Sequence, residues 1–527
     1  MPIMGLEFLS KRLRPFAFLP AFALAYLIYH YGLGSLHWDE WGCEAPFLRA
    51  YLDGSLGAKA WLAQCNESRP VLPKIIWLLL TLISGVADPR WEMFTGCLVV
   101  GLTAWNLFRL SAGHPLMMFV VSALLFSPIQ QENWLWGAQM MLFLPALFLT
   151  CWLRIARSGH RHAVAWGVAL AVLATFSFPN GFLLWPALFA TLGLFDPAIR
   201  KRAAVTWTLA FVATLALYFH DFLNVASAPS YTAILASPMT ALQYFLNFLG
   251  GPLAAGEPSR AWFAGAALLI AFAVLLVRKS ADSLPWLILA GYALASAALA
   301  TIGRVALGPQ QALDSRYGAF AVWLAIAVLG LAWQALQPRW RAALALFMLA
   351  AHVPSFLHGV RSMHYRTLAA RYQRACLTFL NAVPAGGDCV GNYPVWSPDF
   401  LREAAAPLDR AGWIAPKMIG SGEAIPMPVV DGIGNLEAAD AGPKWRFQGG
   451  VGGDPDAIIV TIVRDEKYIP IALAQPGRSV PLQVSPSAWR TEVDKQQIPP
   501  GSRVAAFAYR ATEPRWSKLG GPWVAPK

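Results

Sequence analysis

Long apolar runs, separated by short polar stretches, fill the first two thirds of the chain. Runs of about 15 to 20 apolar residues recur from Phe16 to about Leu357, and a helix of that length crosses the hydrocarbon core of a bilayer. The pattern predicts a polytopic α-helical membrane protein with about eleven spans. These spans are roughly Phe16–Leu33, Met93–Leu110, Pro115–Pro128, Gly137–Leu153, Ala163–Phe178, Phe182–Phe195, Ala203–Phe219, Ala261–Val277, Leu284–Ile302, Tyr317–Trp333 and Ala342–Leu357.

Two other apolar stretches carry features that disfavour a span. Val71–Val86 has Lys74 close to its start, and Thr240–Ala255 is interrupted by Gly250–Pro252. We predict that both are interfacial or re-entrant helices on the outer side of the membrane. If both cross the bilayer instead, the total rises to about thirteen spans.

The basic loops predict the orientation of the chain. Lys and Arg collect in cytoplasmic loops, so the N-terminus is predicted to be cytoplasmic and the C-terminus to lie outside. We therefore expect a multi-pass protein of a bacterial inner membrane with a periplasmic C-terminal domain. The basic residues concerned are Lys11, Arg12, Arg14, Arg154, Arg157, Arg161, Arg200, Lys201, Arg202, Arg278, Lys279, Arg339 and Arg341.

The pattern changes after His358, where apolar runs shorten and Gly, Pro and charged residues become more frequent. We predict a transmembrane module over residues 1–358, with a first outer loop at 34–92, and a periplasmic domain over residues 359–527. A helix is expected at Arg361–Ala382. Strand-like runs such as Ala457–Val463 and Val504–Tyr509 predict an α/β domain that contains a small β-sandwich.

Composition agrees with a membrane protein and narrows the partners. The chain is 57% hydrophobic and 13% charged, with a mean hydropathy of +0.47. The formal charge of +12 follows from the basic loops, so it does not indicate a nucleic-acid partner. No Walker or GxGxxG pattern follows a strand, which disfavours a nucleotide donor.

The six cysteines fall into three groups by position. One pair lies in the first outer loop and one pair in the outer domain, so two disulfides are predicted in an oxidising compartment; the alternative is four free thiols. Two further cysteines lie in membrane helices, and no cysteine or histidine spacing indicates a metal. The pairs are Cys43 with Cys65 and Cys376 with Cys389, and the membrane cysteines are Cys97 and Cys151.

Polar residues concentrate at the outer ends of the predicted spans. Asp39 and Glu40 stand between two tryptophans just after the first span, and carboxylates beside hydrocarbon are costly and often functional. The same topology brings other carboxylates, amides and cations to this face. They are Glu44, Glu67, Arg69, Lys74, Gln131, Glu132, Asn133, Asn180, His220, Asp221, Arg304, Asp314, Arg316 and Tyr317.

This set of side chains suits glycosyl transfer from a lipid carrier. A carboxylate can act as general base on an acceptor hydroxyl, and Arg or Lys side chains can hold a phosphate leaving group. A site in the membrane that opens to lipid suits a donor such as a polyprenyl-phosphate sugar. No cofactor is predicted.

From Phe16 to Leu357 the chain resembles the GT-C superfamily of integral-membrane glycosyltransferases, especially the bacterial branch related to aminoarabinose and protein O-mannosyl transferases. The motifs that carry the resemblance are short, and their order along the topology gives them weight. They are Asp39-Glu40 in the first outer loop, Arg69-Pro70 with Lys74 before an interfacial helix, Gln131-Glu132-Asn133 after the third span, Phe178-Pro179-Asn180-Gly181 between later spans without the lysine of that group, and Arg316-Tyr317 at a late span.

The resemblance, together with the collection of polar residues at the outer face, gives each candidate residue an expected role. Asp39 is expected to be the general base, and Glu40 to orient it or the acceptor. Four cations are expected to bind the donor phosphate, namely Arg69, Lys74, Arg304 and Arg316. Six residues are expected to contact substrate, namely Glu67, Gln131, Glu132, Asn133, Asn180 and Tyr317. The expected partners are a polyprenyl-phosphate-linked sugar, a glycan, lipid or protein acceptor, and membrane lipids.

Other interpretations use the same residues. The acidic pair can be a solvated loop start, and the cations can be anchors at the lipid headgroups. At the level of the whole protein, the alternatives are a polymerase or ligase of lipid-linked glycans, a transporter or flippase of a lipid-linked sugar, and a non-catalytic assembly protein that binds polysaccharide. A transporter is expected to show inverted repeats and charged residues at the membrane midplane, and the sequence shows neither.

Overall fold

A computed structural model describes residues 14–111, 113–223, 232–278, 280–383, 396–425, 429–477, 487–512 and 516–527. The described chain is mostly helical and ends in a β-sheet region. In chain order the α-helices are α1 (Leu19–Tyr31), α2 (Glu40–Leu52), α3 (Ala58–Leu62), α4 (Val71–Ser84), α5 (Pro89–Leu110), α6 (Pro115–Leu125), α7 (Gln131–Leu135), α8 (Leu144–Arg157), α9 (Ala163–Thr175), α10 (Leu184–Ala190), α11 (Pro197–Phe219), α12 (Thr232–Ala236), α13 (Pro238–Gly250), α14 (Pro258–Leu276), α15 (Leu284–Arg304), α16 (Gly318–Ala335), α17 (Pro338–Thr378) and α18 (Pro398–Arg410).

Seven helical segments among the described residues are long and apolar enough to cross a membrane. Three shorter apolar helices accompany them, at Pro15–Tyr31, Val71–Ser84 and Ala163–Thr175. The chain is therefore a polytopic membrane protein. The seven segments are Pro89–Leu110, Gly137–Arg157, Pro197–Phe219, Pro258–Leu276, Leu284–Leu307, Ser315–Ala335 and Pro338–Thr378.

Several predicted spans are shorter or interrupted in the structure. Helix α6 has 11 residues and a length of about 17 Å at 1.5 Å per residue, well short of a hydrocarbon core of about 30 Å. It ends before Ser127, which is extended (ψ 131°) because a proline follows it. The span predicted at Phe182–Phe195 contains only the seven-residue helix α10, with 3₁₀ turns on both sides.

One long helix, α17, replaces a predicted span and a predicted separate helix. Its 41 residues run through His358-Gly359, where the composition of the sequence changes. Gly359 packs against the backbone of Pro128 and Ile129, where a Cβ would overlap those atoms. The glycine therefore permits a close approach between segments and does not end the helix.

The chain folds into two compact units. The membrane unit comprises Met1–Gly32, Gly57–Leu79 and Pro89–His364, and the C-terminal unit comprises Leu33–Leu56, Leu80–Asp88 and Tyr365–Lys527. The segment that carries Asp39 and Glu40 thus belongs to the C-terminal unit, although it lies within the residues assigned to the transmembrane module from sequence.

Helix α16 is the most deeply buried helix of the membrane unit. Every residue from Ala319 to Ala332 is buried, and Trp323 donates its indole N–H to the Ala319 carbonyl. The helix begins at Gly318, where a Cβ would overlap the Gln130 side chain. This close approach places the segment before α16 beside the turn that contains Gln130.

Among the described residues of the C-terminal unit, nine strands form two sheets. The larger sheet has the order β1-β8-β7-β4-β5, with β9 also paired to β7, and the smaller sheet has the order β2-β3-β6. Side chains of both sheets share one hydrophobic core, which includes Phe447, Ile458 and Val504. The strands are β1 (Val429–Gly432), β2 (Glu437–Ala441), β3 (Lys444–Val451), β4 (Ala457–Arg464), β5 (Lys467–Ala474), β6 (Ser487–Asp494), β7 (Arg503–Tyr509), β8 (Trp516–Leu519) and β9 (Trp523–Val524).

An ion-pair cluster ties the end of α17 to the sheet within the C-terminal unit. Asp456 is buried and pairs with Arg371 at 3.0 Å and with Arg374 at 2.8 Å. It also accepts the Ala511 backbone N–H at 3.0 Å. Arg371 makes a second pair with Asp454 at 2.7 Å. The cluster fixes the helix end because several bonds converge on one desolvated carboxylate.

Candidate functional site

Two segments of the membrane unit that lie far apart in sequence meet through five hydrogen bonds. Ser315 Oγ accepts from the Gln131 side-chain amide and the Glu132 backbone N–H, both at 3.1 Å. Glu132 Oε2 accepts from Ser315 Oγ at 3.1 Å and from the Arg316 backbone N–H at 3.2 Å. The Asn133 amide donates to the Arg316 carbonyl at 3.1 Å. The Gln131–Asn133 turn and the residues before α16 therefore form one polar cluster.

A second network continues from this cluster through Asp314. The carboxylate pairs with Arg316 at 3.0 Å and accepts from the Gln311 amide at 3.0 Å. The same amide donates to the Tyr317 hydroxyl at 2.8 Å, and the Tyr244 hydroxyl donates to Gln311 Oε1. Each polar group here is positioned by its neighbours, which is the condition for a preorganised site.

The electrostatics of Asp314 reflect opposing effects. Burial raises the pKa of its carboxyl, the nearby Arg316 guanidinium opposes this shift, and the charge of Glu132 adds to it. The net effect is an upward shift of the pKa, so this site already disfavours negative charge.

A cavity of about 270 Å³ opens beside the two networks, entirely within the membrane unit. Glu132 and Asp314 line it, and Phe248 and Tyr317 supply aromatic walls. The remaining lining residues come from the Gln131 turn, the segment between α13 and α14, the start of α16 and helix α17. They include Ile129, Gln131, Gly251, Pro252, Gly256, Leu313, Ser315, Gly318, His358 and Ser362.

Helix α17 holds the segment between α13 and α14 against the cavity. The Ala255 backbone N–H donates to Ser355 Oγ at 2.9 Å. Gly256 has φ +80°, and a Cβ at this position would lie 2.9 Å from His358 Nε2. A bare backbone is therefore needed for the imidazole to remain at the cavity wall.

Three other predicted site residues lie in the membrane unit but do not line this cavity. Glu67 pairs with Arg304 at 2.6 Å, and both side chains are partly exposed. Asn180 donates its amide to Ser296 Oγ at 2.8 Å within a 3₁₀ turn. The side chains of Glu67 and Arg304 are therefore accessible at the surface, whereas the hydrogen bond of Asn180 holds its 3₁₀ turn to α15.

Arg69 and Lys74 hold backbone carbonyls together. Arg69 is buried and donates to the carbonyls of Tyr218, Leu62 and His220. Lys74, also buried, donates at 2.7–3.1 Å to three backbone carbonyls at the end of α3, those of Ala60, Trp61 and Ala63. Because these donors are already engaged, the predicted binding of donor phosphate is not favoured for either residue, and a structural role explains their burial.

Asp39 and Glu40 sit at the start of α2 in the C-terminal unit, where helix α18 also packs. Glu40 is fully buried and accepts the His37 backbone N–H at 2.6 Å, whereas Asp39 is half-buried. The Trp396 indole N–H donates to the Trp38 carbonyl at 2.8 Å. These contacts fix the backbone that presents Asp39.

The cysteines agree with the predicted disulfides where the structure describes them. Cys43 and Cys65 form a disulfide. Cys376 is disulfide-bonded, and its predicted partner Cys389 lies outside the described residues. The thiols of Cys97 and Cys151 are free.

Sequence reasoning missed several residues that form the candidate site. Asp314 was recognised only as a polar residue of the outer face, and Gln311, Tyr244, His358 and Ser362 were not considered. His358 and Ser362 are four residues apart and so share one face of a helix, a signal that was available in the sequence. Their relation to Glu132 depends on long-range packing.

Comparison with known families, with curated proteins and with solved structures finds no match for this chain.

Proposed function

We propose that this protein is an integral-membrane glycosyltransferase of GT-C type, which moves a sugar from a polyprenyl-phosphate carrier to a glycan, lipid or protein acceptor. The observation that carries the proposal is the cavity of the membrane unit, where carboxylates, amides, hydroxyls and aromatic rings meet beside Arg316. The cavity lies at the start of a segment, Ser315–Ala335, that is long enough to cross a membrane. A lipid-linked substrate needs this combination of a polar pocket and an adjoining apolar surface.

The lining of the cavity suits a sugar ring. The carboxylates of Glu132 and Asp314 and the amide of Gln131 can accept or donate hydrogen bonds to hydroxyl groups. Phe248 and Tyr317 offer apolar faces to the C–H surfaces of a ring, and their own rings stand 5.2 Å apart. Small-molecule sites typically combine a few fixed polar groups with apolar walls in this way.

Arg316 is the proposed contact for the donor phosphate. Its guanidinium is about a third exposed and pairs with Asp314, which leaves other N–H groups for a phosphate oxygen. Arg304 is proposed as a second contact, because its side chain is similarly exposed. Arg69 and Lys74 are assigned to holding the backbone.

Asp39 is the proposed general base, and the buried Glu40 orients the start of α2. In the proposed reaction Asp39 takes the proton of the acceptor hydroxyl while the acceptor oxygen bonds to the anomeric carbon of the sugar. The bond from that carbon to the phosphate oxygen breaks, and the polyprenyl phosphate leaves with the electron pair. This step needs no redox partner and no nucleotide.

The proposed membrane orientation is inferred from the positions of the basic loops. We place the protein in a bacterial inner membrane as a multi-pass protein, with its N-terminus in the cytoplasm and its C-terminal unit in the periplasm. In that orientation the disulfide Cys43–Cys65 faces an oxidising compartment, as its formation requires.

The test is turnover of defined polyprenyl-phosphate sugars by the purified full chain in nanodiscs. Release of sugar-free polyprenyl phosphate is measured, because this product forms whichever acceptor is used, water included. Asp39→Asn is expected to lower the rate about 100-fold or more, and Arg316→Ala to raise the donor KM. The matched control is Asp53→Asn, at the exposed end of the same helix, which should leave the rate unchanged. Transport of intact donor across the bilayer without cleavage would contradict the proposal.

A further inference from the structure

We infer that the cavity is the subsite for the transferred sugar and that it selects an uncharged or cationic sugar against an acidic one. The inference rests on the proposed function. It adds a specificity rule and assigns the rule to Glu132 and Asp314, with His358 and Ser362 as additional contacts from helix α17.

The charge around the cavity carries the specificity. Glu132 and Asp314 both line the wall, and none of the described lining residues is Lys or Arg. Arg316, the cation of the same cluster, is already paired with Asp314 at 3.0 Å. A uronic acid bound here would bring a third carboxylate next to two others, and like charges repel more strongly in a partly buried site than in bulk water. Hydroxyl and ammonium groups, in contrast, can donate to both carboxylates.

The state of Asp314 supports the same rule. Burial raises the pKa of its carboxyl, and the charge of Glu132 raises it further. Burial and the charge of Glu132 disfavour the negative charge of Asp314. They disfavour the negative charge of an acidic ligand for the same reason.

The size of the cavity is sufficient for a sugar ring. Its volume is about 270 Å³. Gly256 maintains this volume on one side, because a methyl group there would displace the imidazole of His358. The cavity therefore suits a single monosaccharide joined to a carrier phosphate.

The experiment measures binding, so that it can be read without turnover. The full chain in nanodiscs is titrated with three polyprenyl-phosphate lipids that carry a neutral hexose, an amino hexose or a hexuronic acid, and sugar-free polyprenyl phosphate serves as reference. We expect the neutral and amino sugars to bind at least tenfold more tightly than the uronic acid. Equal binding of all three would overturn the inference, even if transfer activity were present.

Variants assign the selectivity to its residues. Glu132→Gln and Asp314→Asn should each reduce the discrimination against the uronic acid several-fold, whereas Asp282→Asn, an exposed carboxylate elsewhere in the membrane unit, should not change it. Unchanged discrimination in both cavity variants would overturn the assignment. If the lipids bind with the expected preference but are never cleaved, the result contradicts the proposed glycosyltransferase activity and still supports the sugar-binding subsite.

A glycine pair tests the position of the sugar. Gly256→Ala should weaken binding of the neutral-sugar lipid at least fivefold relative to sugar-free lipid, because the added methyl moves His358 into the cavity. Gly159→Ala is the control, since Gly159 also has a positive φ (+65°) but has no atom within 4 Å of the new methyl. Equal effects of the two variants on the sugar-bearing lipid would place the sugar elsewhere.

Discussion

Glu132 is the residue whose replacement tests the polar cluster most sharply. Its Oε2 accepts two hydrogen bonds from the segment before α16, one from Ser315 Oγ at 3.1 Å and one from the Arg316 backbone N–H at 3.2 Å. Glu132→Gln keeps an acceptor oxygen of similar geometry and removes the charge. The variant therefore isolates the contribution of the charged acceptor.

The expected loss follows from the two bonds. A hydrogen bond to a charged group contributes about 1.5–3 kcal/mol and a neutral one about 0.5–1.5 kcal/mol, so each bond loses roughly 1 kcal/mol. Two bonds give about 2 kcal/mol, which we reduce to about 1–2 kcal/mol because Glu132 is only partly buried. The unfolding entropy is about 2.1 cal/mol/K per residue, or about 1.1 kcal/mol/K for 527 residues, so the melting temperature should then fall by about 1–2 °C.

The assay is thermal unfolding in detergent followed by intrinsic fluorescence, with Glu67→Gln as the matched control. Glu67 makes one partly exposed ion pair with Arg304, and such pairs contribute about 0–1 kcal/mol. Its variant should shift the melting temperature by about 1 °C or less. Equal shifts for the two variants would refute the view that Glu132 joins the two segments.

Three further predictions concern Asp456, His37 and the disulfide Cys43–Cys65. Asp456→Asn should destabilise the full chain by about 3–5 kcal/mol, because it leaves the buried Arg374 without its charge partner. The exposed Asp399→Asn should cost less than about 1 kcal/mol in the same urea titration. Burial lowers the pKa of His37 to about 3, so the unfolded chain binds a proton near pH 6.5 that the folded chain does not bind. The contribution of His37 to the free energy of unfolding should therefore be fully present above about pH 6.5 and should decrease as the pH falls towards 3. The loss should be about 2 kcal/mol at pH 5, and His37→Asn should flatten this dependence. Mass spectrometry of unreduced peptides should recover Cys43 joined to Cys65, and reduction should lower stability by about 3 kcal/mol in the chain-entropy model; a free thiol at either position would contradict the pairing.

The fold was predictable wherever local patterns decide the structure. The β-branched run at Ala457–Val463 became β4 and pairs antiparallel with β7, which formed from Val504–Tyr509. Both runs lack helix periodicity and are bounded by turn residues, so local propensity and tertiary packing agree. The sequence likewise predicted the interruption at Gly250–Pro252, and in the structure α13 ends at Gly250.

Long-range packing set the features that the sequence did not reveal. Gly359 follows the change in composition at His358, and its role in the structure is a close approach to Pro128. Arg69 looked like a ligand for phosphate, and in the structure its donors bind carbonyls of the distant α11 end and of its own loop. Neither partner can be identified from the local sequence.

The candidate site was predictable as two separate motifs but not as one cavity. Glu132 and Tyr317 were selected from sequence, and both line the cavity. Asp314 lies three residues before Tyr317, yet nothing local shows that its carboxylate lines the same cavity as Glu132. His358 was missed because a histidine near the end of a predicted span resembles an interfacial residue.

The most direct test of the central claim is photo-crosslinking of a donor lipid. A polyprenyl-phosphate hexose that carries a diazirine on the sugar is bound to the full chain in nanodiscs, irradiated and mapped by peptide mass spectrometry, with excess unlabelled donor as competitor. We predict competable labelling of the peptides that contain Glu132, Asp314 and His358. Labelling confined to other peptides, or labelling that the competitor does not reduce, would contradict the assignment of this cavity to the sugar of a lipid-linked donor.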